Sequence, residues 1–119
     1  MEQHKEDVVR LRHILDYAQK AVQFTTGKKR ADLDTDGMLA MATIHSIEIM
    51  GEAVRTISEE LLERHPEVPW SQITGTRNRL AHGYIDVNLD IIWAIVTEDL
   101  PTLIKNFERI LEDEGGLSG

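Results

Sequence analysis

The stretch His65-Pro66-Glu67-Val68-Pro69 interrupts a chain whose apolar residues otherwise recur with helical spacing. Proline lacks the backbone N–H that a helix interior requires, and its ring clashes with the preceding turn. Two prolines within four residues therefore forbid a continuous helix here. Pro69 is well placed to begin a new helix at its first position, where no N–H is needed. The sequence thus predicts a long helix before this stretch and a short one after it.

The helix before the stretch is predicted to begin at Asp34 or Thr35, either of which can cap it, and to end at about Arg64. Its apolar residues step by three and four, with three more widening the same face: Ile47, Met50, Val54, Ile57 and Leu61, then Met38, Met41 and Ile44. At about thirty residues it would be roughly 45 Å long. A helix of this length suits lengthwise packing in a bundle or across a dimer.

Two more helical regions are predicted nearer the ends of the chain. The first runs from about His4 to Thr26, with Gly27 as a left-handed cap. Asn88 is expected to cap the last region, and Pro101 to kink it or divide it. Both regions carry an apolar stripe: Val8, Leu11, Leu15, Ala18 and Val22 in the first, and Leu89, Ile92, Val96, Leu100, Leu103, Phe107 and Ile110 in the last.

No stretch alternates as a strand would, so the predicted fold is an all-α bundle. One domain is expected over residues 1–119, with 113–119 as a frayed tail. The longest apolar run, residues 91–96, is too short for a membrane span, and the N-terminus lacks the apolar region of a signal peptide. We therefore expect a soluble cytoplasmic protein with no membrane partner.

The composition excludes several kinds of site. There is no cysteine. The chain has 13 Lys and Arg residues and 21 Asp and Glu residues, which gives a net charge of −8. Thiolate chemistry is excluded, and any contact with nucleic-acid phosphate must be local. Neither His-Glu-x-x-His nor Glu-x-x-His occurs, so no metal or cofactor site is predicted. His4, His13 and His65 are expected to be isolated surface residues, and most acidic residues to serve solubility.

Reactive residue types concentrate in Arg77-Asn78-Arg79-Leu80-Ala81-His82-Gly83-Tyr84. Arg77 falls on an apolar stripe, where a charge needs a partner or a ligand. An offset of five residues rotates about 140° on an ideal helix, so the side chains of Arg77 and His82 would diverge. They converge if the helix unwinds at His82, as Gly83 suggests, or if two copies of the motif meet across a two-fold axis.

Arginine and histidine together suit metal-free cleavage of an RNA phosphodiester. Histidine can take the proton of the 2′-hydroxyl or give one to the leaving oxygen. Arginine can stabilise charge on the phosphoryl oxygens. From residue types and spacing alone, however, the favoured interpretation is a helical adaptor protein, in which the histidine caps a helix and the arginine forms a salt bridge.

The motif changes this balance, because Arg77, Asn78, His82 and Tyr84 match Arg-Asn-x-x-x-His-x-Tyr and thereby resemble the signature of HEPN-domain ribonucleases. The chain looks like the HepT branch over roughly residues 5–112. That similarity includes Gly51-Glu52-Ala53, Pro66-Glu67-Val68-Pro69-Trp70, Gly75-Thr76-Arg77-Asn78, Trp93 and Glu98-Asp99-Leu100-Pro101.

The resemblance implies a four-helix up-and-down HEPN bundle with a short extra helix carrying the motif, and a homodimer whose two motifs face one cleft. It implies a metal-independent endoribonuclease toxin of a type VII-like toxin–antitoxin pair, leaving 2′,3′-cyclic phosphate ends on its RNA substrate. The implied partner is an MntA-type nucleotidyltransferase antitoxin, which transfers AMP from ATP to the motif tyrosine. This chain would be the target of that transfer.

We assign roles on this basis. His82 is the general acid and base, and Arg77 binds the scissile phosphate. Asn78 orients one of them or a phosphate oxygen. Tyr84 accepts AMP and is also a candidate for positioning the substrate. Arg79 is a candidate phosphate contact, although a surface charge is the simpler interpretation.

Two rival interpretations stay open. One is a catalytically weak helical module that assembles with a nucleotidyltransferase, which the net charge of −8 favours. The other is a helical dimer without a site. Glu52 could pair with Arg77, or could be an ordinary solvated carboxylate.

Overall fold

A computed structural model of the chain describes residues 2–81 and 88–115, and for residues 76–81 it describes the helical backbone alone. No strand occurs in these ranges, which confirms the all-α prediction. The elements, in order, are α1 (Glu2–Thr25), α2 (Asp32–Thr35), α3 (Gly37–Val54), α4 (Glu59–Arg64), α5 (Trp70–Ala81), α6 (Leu89–Ala94), a π-helical segment (Ile95–Asp99) and α7 (Leu100–Asp113).

The long helices form an up-and-down bundle. His4, near the start of α1, lies 3.0 Å from Glu114, which follows α7. Arg30, which follows α1, donates to Asp90 near the start of α6 at 2.6 Å. Helices α1 and α6–α7 therefore run in opposite directions. Helix α3 returns along α1, and α5 packs on α3, so the helix that carries the first motif residues is the third of the four.

The core takes side chains from every long helix. Its largest fully buried members are Leu11, Ile14, Leu33, Leu61, Ile92, Leu100, Phe107, Ile110 and Leu111. In α1 the buried face is centred on Leu11, Ile14 and Ala18, so Val8 and Leu15 are only partly covered. The predicted stripe of the last region is buried from Ile92 onward.

The prediction of one long helix before His65 is wrong, because α3 has 18 residues and ends at Val54. Ser58 begins a new helix, and its hydroxyl accepts the N–H of Leu61 at 3.4 Å. The carboxylate of Asp7 accepts both the N–H and the O–H of Ser58, at 3.1 and 2.6 Å. These bonds span 51 residues of sequence. The apolar spacing continues through the turn, so local periodicity could not reveal it.

The start of α3 also differs from the prediction. Asp36, and not Asp34 or Thr35, caps α3 by accepting the N–H of Leu39 at 3.1 Å. Met38 and Met41 were expected on the apolar face, yet they are 84% and 73% exposed. The first turns of α3 bury a different set of side chains, namely Leu39, Ala40 and Thr43, and this places both methionines on the opposite face.

The predictions for the last helical region are confirmed. The side chain of Asn88 accepts the N–H of Asp90 at 2.9 Å and so caps α6. The π-helical segment divides the region just before Pro101, and the N–H of Leu100 reaches back to the carbonyl of Ile95. A proline ring clashes with the carbonyl four residues before it, and the wider π turn relieves that clash. Within the described ranges, no helix has the length and apolar content to cross a bilayer.

Candidate functional site

Helix α5 is fixed to the core at its first turn. Pro69 was predicted as the first helical residue, but the helix begins at Trp70 and the Pro69 carbonyl accepts the N–H of Ile73 at 3.1 Å. The indole N–H of Trp70 donates to the carbonyl of His65 at 2.9 Å, and its ring lies 6.1 Å from that of Phe107. Ile73 is 8% exposed. The proline stretch and the core together therefore set where α5 begins and how it lies.

The predicted site residues continue from this anchored half of α5. Arg77, Asn78 and Arg79 belong to its helical backbone. His82 and Tyr84 lie outside the described residues, so the convergence of Arg77 with His82 stays a prediction. The pairing of Glu52 with Arg77 also stays a prediction. Because a helix rises about 1.5 Å per residue, the backbone of Arg77 lies roughly 6 Å beyond that of Ile73.

Where α1 begins and α7 ends, the carboxylate of Glu114 receives donors from three residues, and we call His4, Arg64, His65 and Glu114 the Glu114 cluster. Glu114 lies 3.0 Å from His4 Nε2, 2.9 Å from Arg64 Nη2 and 2.8 Å from His65 Nε2. Its side chain is 9% exposed. Burial alone would raise its pKa, but the hydrogen bonds from Arg64, His65 and His4 outweigh burial and hold the pKa at about 2.

This cluster corrects two predictions about histidine. His65 is buried at 7% exposure and His4 is paired, so neither is an isolated surface residue. His13 is exposed, as predicted. The cluster joins α1, α4 and the end of α7, and the backbone of His65 also receives the indole N–H of Trp70. Sequence periodicity could not reveal it, because Glu114 is 49 residues from His65.

A cavity of about 310 Å³ lies against the first turn of α5, between α3, the π-helical segment and α7. We call it the acidic groove. Its floor is apolar and consists of Ile47, Met50, Ile73, Ile95, Leu100 and Leu103. Its rim carries the carboxylates of Glu67, Glu98 and Asp99. No pattern in the sequence singles out this groove, because its residues come from separate segments and meet only after folding.

The Glu114 cluster and the acidic groove offer carboxylates, histidines, one arginine and apolar surface. No group of three or more His, Asp or Glu side chains in the described ranges could hold a metal ion. The acidic groove does not suit RNA phosphate, since its charge has the same sign. The motif that begins in α5 with Arg77 stays the predicted site for RNA chemistry.

The fold and the sequence define a class of protein: an all-α bundle whose third long helix contains Arg77, the first residue of an Arg–His sequence motif. Residues 14–110 match the family model described as "Ribonuclease HepT-like". The chain belongs to this HepT-like branch of the HEPN proteins. No solved structure matches it significantly.

Named relatives agree with the family match. The chain is 38% identical over 104 residues to a "Putative RNase" of Caldanaerobacter subterraneus subsp. tengcongensis, covering 87% of this chain and 93% of that protein. It is 34% identical over 103 residues to a "Putative RNase" of Methanocaldococcus jannaschii, covering 87% and 85%. It is 35% identical over 79 residues to a "Probable ribonuclease HepT" of Thermococcus cleftensis, covering 66% and 72%. Together with the family match, these names support a ribonuclease.

Proposed function

We propose that this chain is a metal-independent endoribonuclease that cuts RNA with Arg77 and His82. The observation that carries the proposal is the match of residues 14–110 to HepT-like ribonucleases, because it spans the whole motif from Arg77 to Tyr84. The anchored start of α5 adds physical support. A helix fixed at Trp70 and Ile73 gives the motif a rigid base, which positioning of a phosphate requires.

The chemistry needs one proton acceptor, one proton donor and a cation. A neutral His82 takes the proton of the 2′-hydroxyl, and the freed oxygen attacks phosphorus. The bond to the 5′-oxygen breaks as that oxygen receives a proton, which leaves a 2′,3′-cyclic phosphate. Arg77 neutralises the charge that grows on the phosphoryl oxygens. Asn78 orients the phosphate or one of the two catalytic side chains, and Arg79 is a candidate for a flanking phosphate contact.

The active form that we propose is a homodimer. Arg77 and His82 are offset by five positions in sequence, with four residues between them, and an unbroken helix would point their side chains about 140° apart. Two motifs facing one cleft solve this problem, because the arginine of one copy can serve with the histidine of the other. The pair of copies also supplies two histidines, so one can accept a proton while the other donates.

Control is proposed at Tyr84. An MntA-type nucleotidyltransferase would transfer AMP from ATP to the phenol oxygen and release pyrophosphate. The attached nucleotide would place bulk and negative charge two residues from His82, where the RNA phosphate must bind. The modified protein would therefore not cleave RNA, as expected of a toxin that its antitoxin has neutralised.

Cleavage of labelled RNA by purified, unmodified protein, with a chelator present, tests the catalytic assignment. We expect His82→Ala to lower the rate by roughly 10²–10⁴-fold, the usual contribution of a general acid–base group. His13→Ala is the matched control, because His13 is an exposed histidine on α1. Equal rates for His82→Ala and wild type would remove His82 from the mechanism. Absence of cleavage by any variant would favour the binding module, which the net charge of −8 also favours.

Intact mass after incubation with the nucleotidyltransferase and ATP tests the control site. The chain has two tyrosines, so Tyr17→Phe is the matched control for Tyr84→Phe. We expect the mass of added AMP on wild type and on Tyr17→Phe, and no added mass on Tyr84→Phe. Addition that persists in Tyr84→Phe would refute the assignment.

A further inference from the structure

The acidic groove combines an apolar floor with an acidic rim. The six floor residues are 1–8% exposed, so the floor is already well packed from below. Among the lining residues that the structure describes, three are acidic and none is Lys, Arg or His. The side chains of Glu98 and Asp99 are exposed, and neither forms a salt bridge with another described residue. Glu67 has one such contact, to His65 Nδ1 at 3.5 Å.

The π-helical segment builds this arrangement. It brings Ile95 to the floor and Glu98 and Asp99 to the rim. A π turn is rare and occurs frequently at functional sites. Here it also places two carboxylates beside an apolar cavity, where they face no cation of their own chain within the described ranges.

We propose that the acidic groove is a docking site for a basic segment of a partner protein. The segment would insert one or two apolar side chains onto the floor and set lysines or arginines against Glu98, Asp99 and Glu67. A buried apolar anchor within a charged rim is the arrangement that gives protein interfaces their affinity and specificity. This inference goes beyond the proposed ribonuclease activity and does not depend on it.

Charge and shape select this occupant over others. RNA would set its phosphates against three carboxylates. A small cation would gain nothing from the apolar floor. A second copy that docked through Met38 and Met41, its most exposed apolar side chains in the described ranges, would bring Asp34 and Asp36 towards the rim, which would repel them. The homodimer proposed above makes its contact at the motifs and not through these methionines. A volume of 310 Å³ is at the small end of ligand pockets, so it suits a few side chains.

The position of the groove would bring a docked partner close to the Arg77–Tyr84 motif. Ile73 lies on its floor, and Arg77 follows one helical turn later in α5. A partner seated in the acidic groove would therefore lie within roughly 6 Å, along the helix axis, of the first motif residue. This proximity would let the partner cover the motif or act on it while bound elsewhere.

Fluorescence anisotropy with a short labelled peptide, in which a central leucine is flanked by lysines and arginines, tests the proposal. We expect Glu98→Gln/Asp99→Asn to weaken binding by about tenfold or more. The matched control is Glu108→Gln/Glu112→Gln, which changes the net charge equally at exposed positions of α7 outside the groove. This control should bind within about twofold of wild type. A peptide with serine in place of leucine should bind wild type about tenfold more weakly, because it lacks the apolar anchor.

Four outcomes would overturn the proposal. The first is equal weakening in both double variants, which would mean attraction by net charge alone. The second is no measurable binding of the leucine peptide to wild type. The third is concentration-dependent self-association in sedimentation that disappears in Glu98→Gln/Asp99→Asn, since the occupant would then be a second copy. The fourth is binding of a labelled RNA oligonucleotide that is lost in the same variant.

Discussion

The Glu114 cluster and the acidic groove contain the same kind of side chain in opposite circumstances. At the cluster, one carboxylate with 9% exposure receives donors from His4, Arg64 and His65. At the groove, Glu98 and Asp99 are exposed and have no ion-pair partner among the described residues. Both regions touch the segment from His65 to Ile73 that leads into α5.

This difference separates carboxylates that hold the fold from carboxylates that are available to a partner. A buried carboxylate that lost its donors would be strongly destabilising, so a cluster of this kind is fixed by stability. An exposed carboxylate contributes little to stability and costs little to change. Acidic groups beside an apolar cavity are therefore available for contact with a partner. Our predictions test this contrast from its strongest consequence to its weakest.

The largest effect is expected from Glu114→Gln. The substitution keeps the shape of the side chain but removes the charge that His4, Arg64 and His65 face. We expect the free energy of unfolding at pH 7 to fall by roughly 2–4 kcal/mol, as for other broken buried pairs. Urea denaturation measures it. Glu98→Gln is the control, and a loss of equal size there would erase the contrast between the two regions.

Acid should destabilise the protein through the same carboxylate. The pKa of Glu114 in the folded protein is about 2, below its ordinary value of 4.5. Its contribution is therefore complete above pH 4.5 and is lost as the pH falls towards 2. A shift of this size corresponds to roughly 3 kcal/mol. Thermal or urea melts between these pH values should show a steep loss in wild type and a shallower one in Glu114→Gln.

Asp7 provides a check within that experiment. Burial would raise the pKa of Asp7, but hydrogen bonds from Ser58 and Gln3 outweigh burial and lower it below its ordinary value. Part of the acid loss should therefore persist in Glu114→Gln. If the two proteins lose stability in parallel across the whole window, Glu114 is not the group whose protonation is being observed.

The smallest effect on stability is expected from the groove variant. Glu98→Gln/Asp99→Asn should change the free energy of unfolding by no more than about 0.5 kcal/mol, because exposed carboxylates without partners stabilise little. Removing mutual repulsion at the rim could make the change slightly favourable. Urea midpoints at pH 7 measure it. A clear loss of stability would show that these residues support the fold, and the docking proposal would lose its basis.

The fold was predictable where a local signal fixed it. Asn88 caps α6, Gly27 adopts a left-handed conformation with φ 78°, and Pro101 follows a break in the last helical region, all as expected. The helix across Arg55–Ser58 was wrongly predicted, because its end depends on the bonds from Ser58 to Asp7. The motif could be located in sequence, whereas its side-chain geometry falls outside the described residues.

The sequence by itself determined the helical periods, the breaks at proline and glycine and the Arg77–Tyr84 motif that places the chain among HepT-like ribonucleases. These depend on backbone chemistry and on neighbours within a few residues. The tertiary structure decided which acidic residues are neutralised. Glu114 and Glu98 have the same side chain, but folding brings three donors to Glu114 and sets Glu98 beside an apolar cavity. Partners that are distant in sequence set these environments, so composition and spacing could not distinguish them.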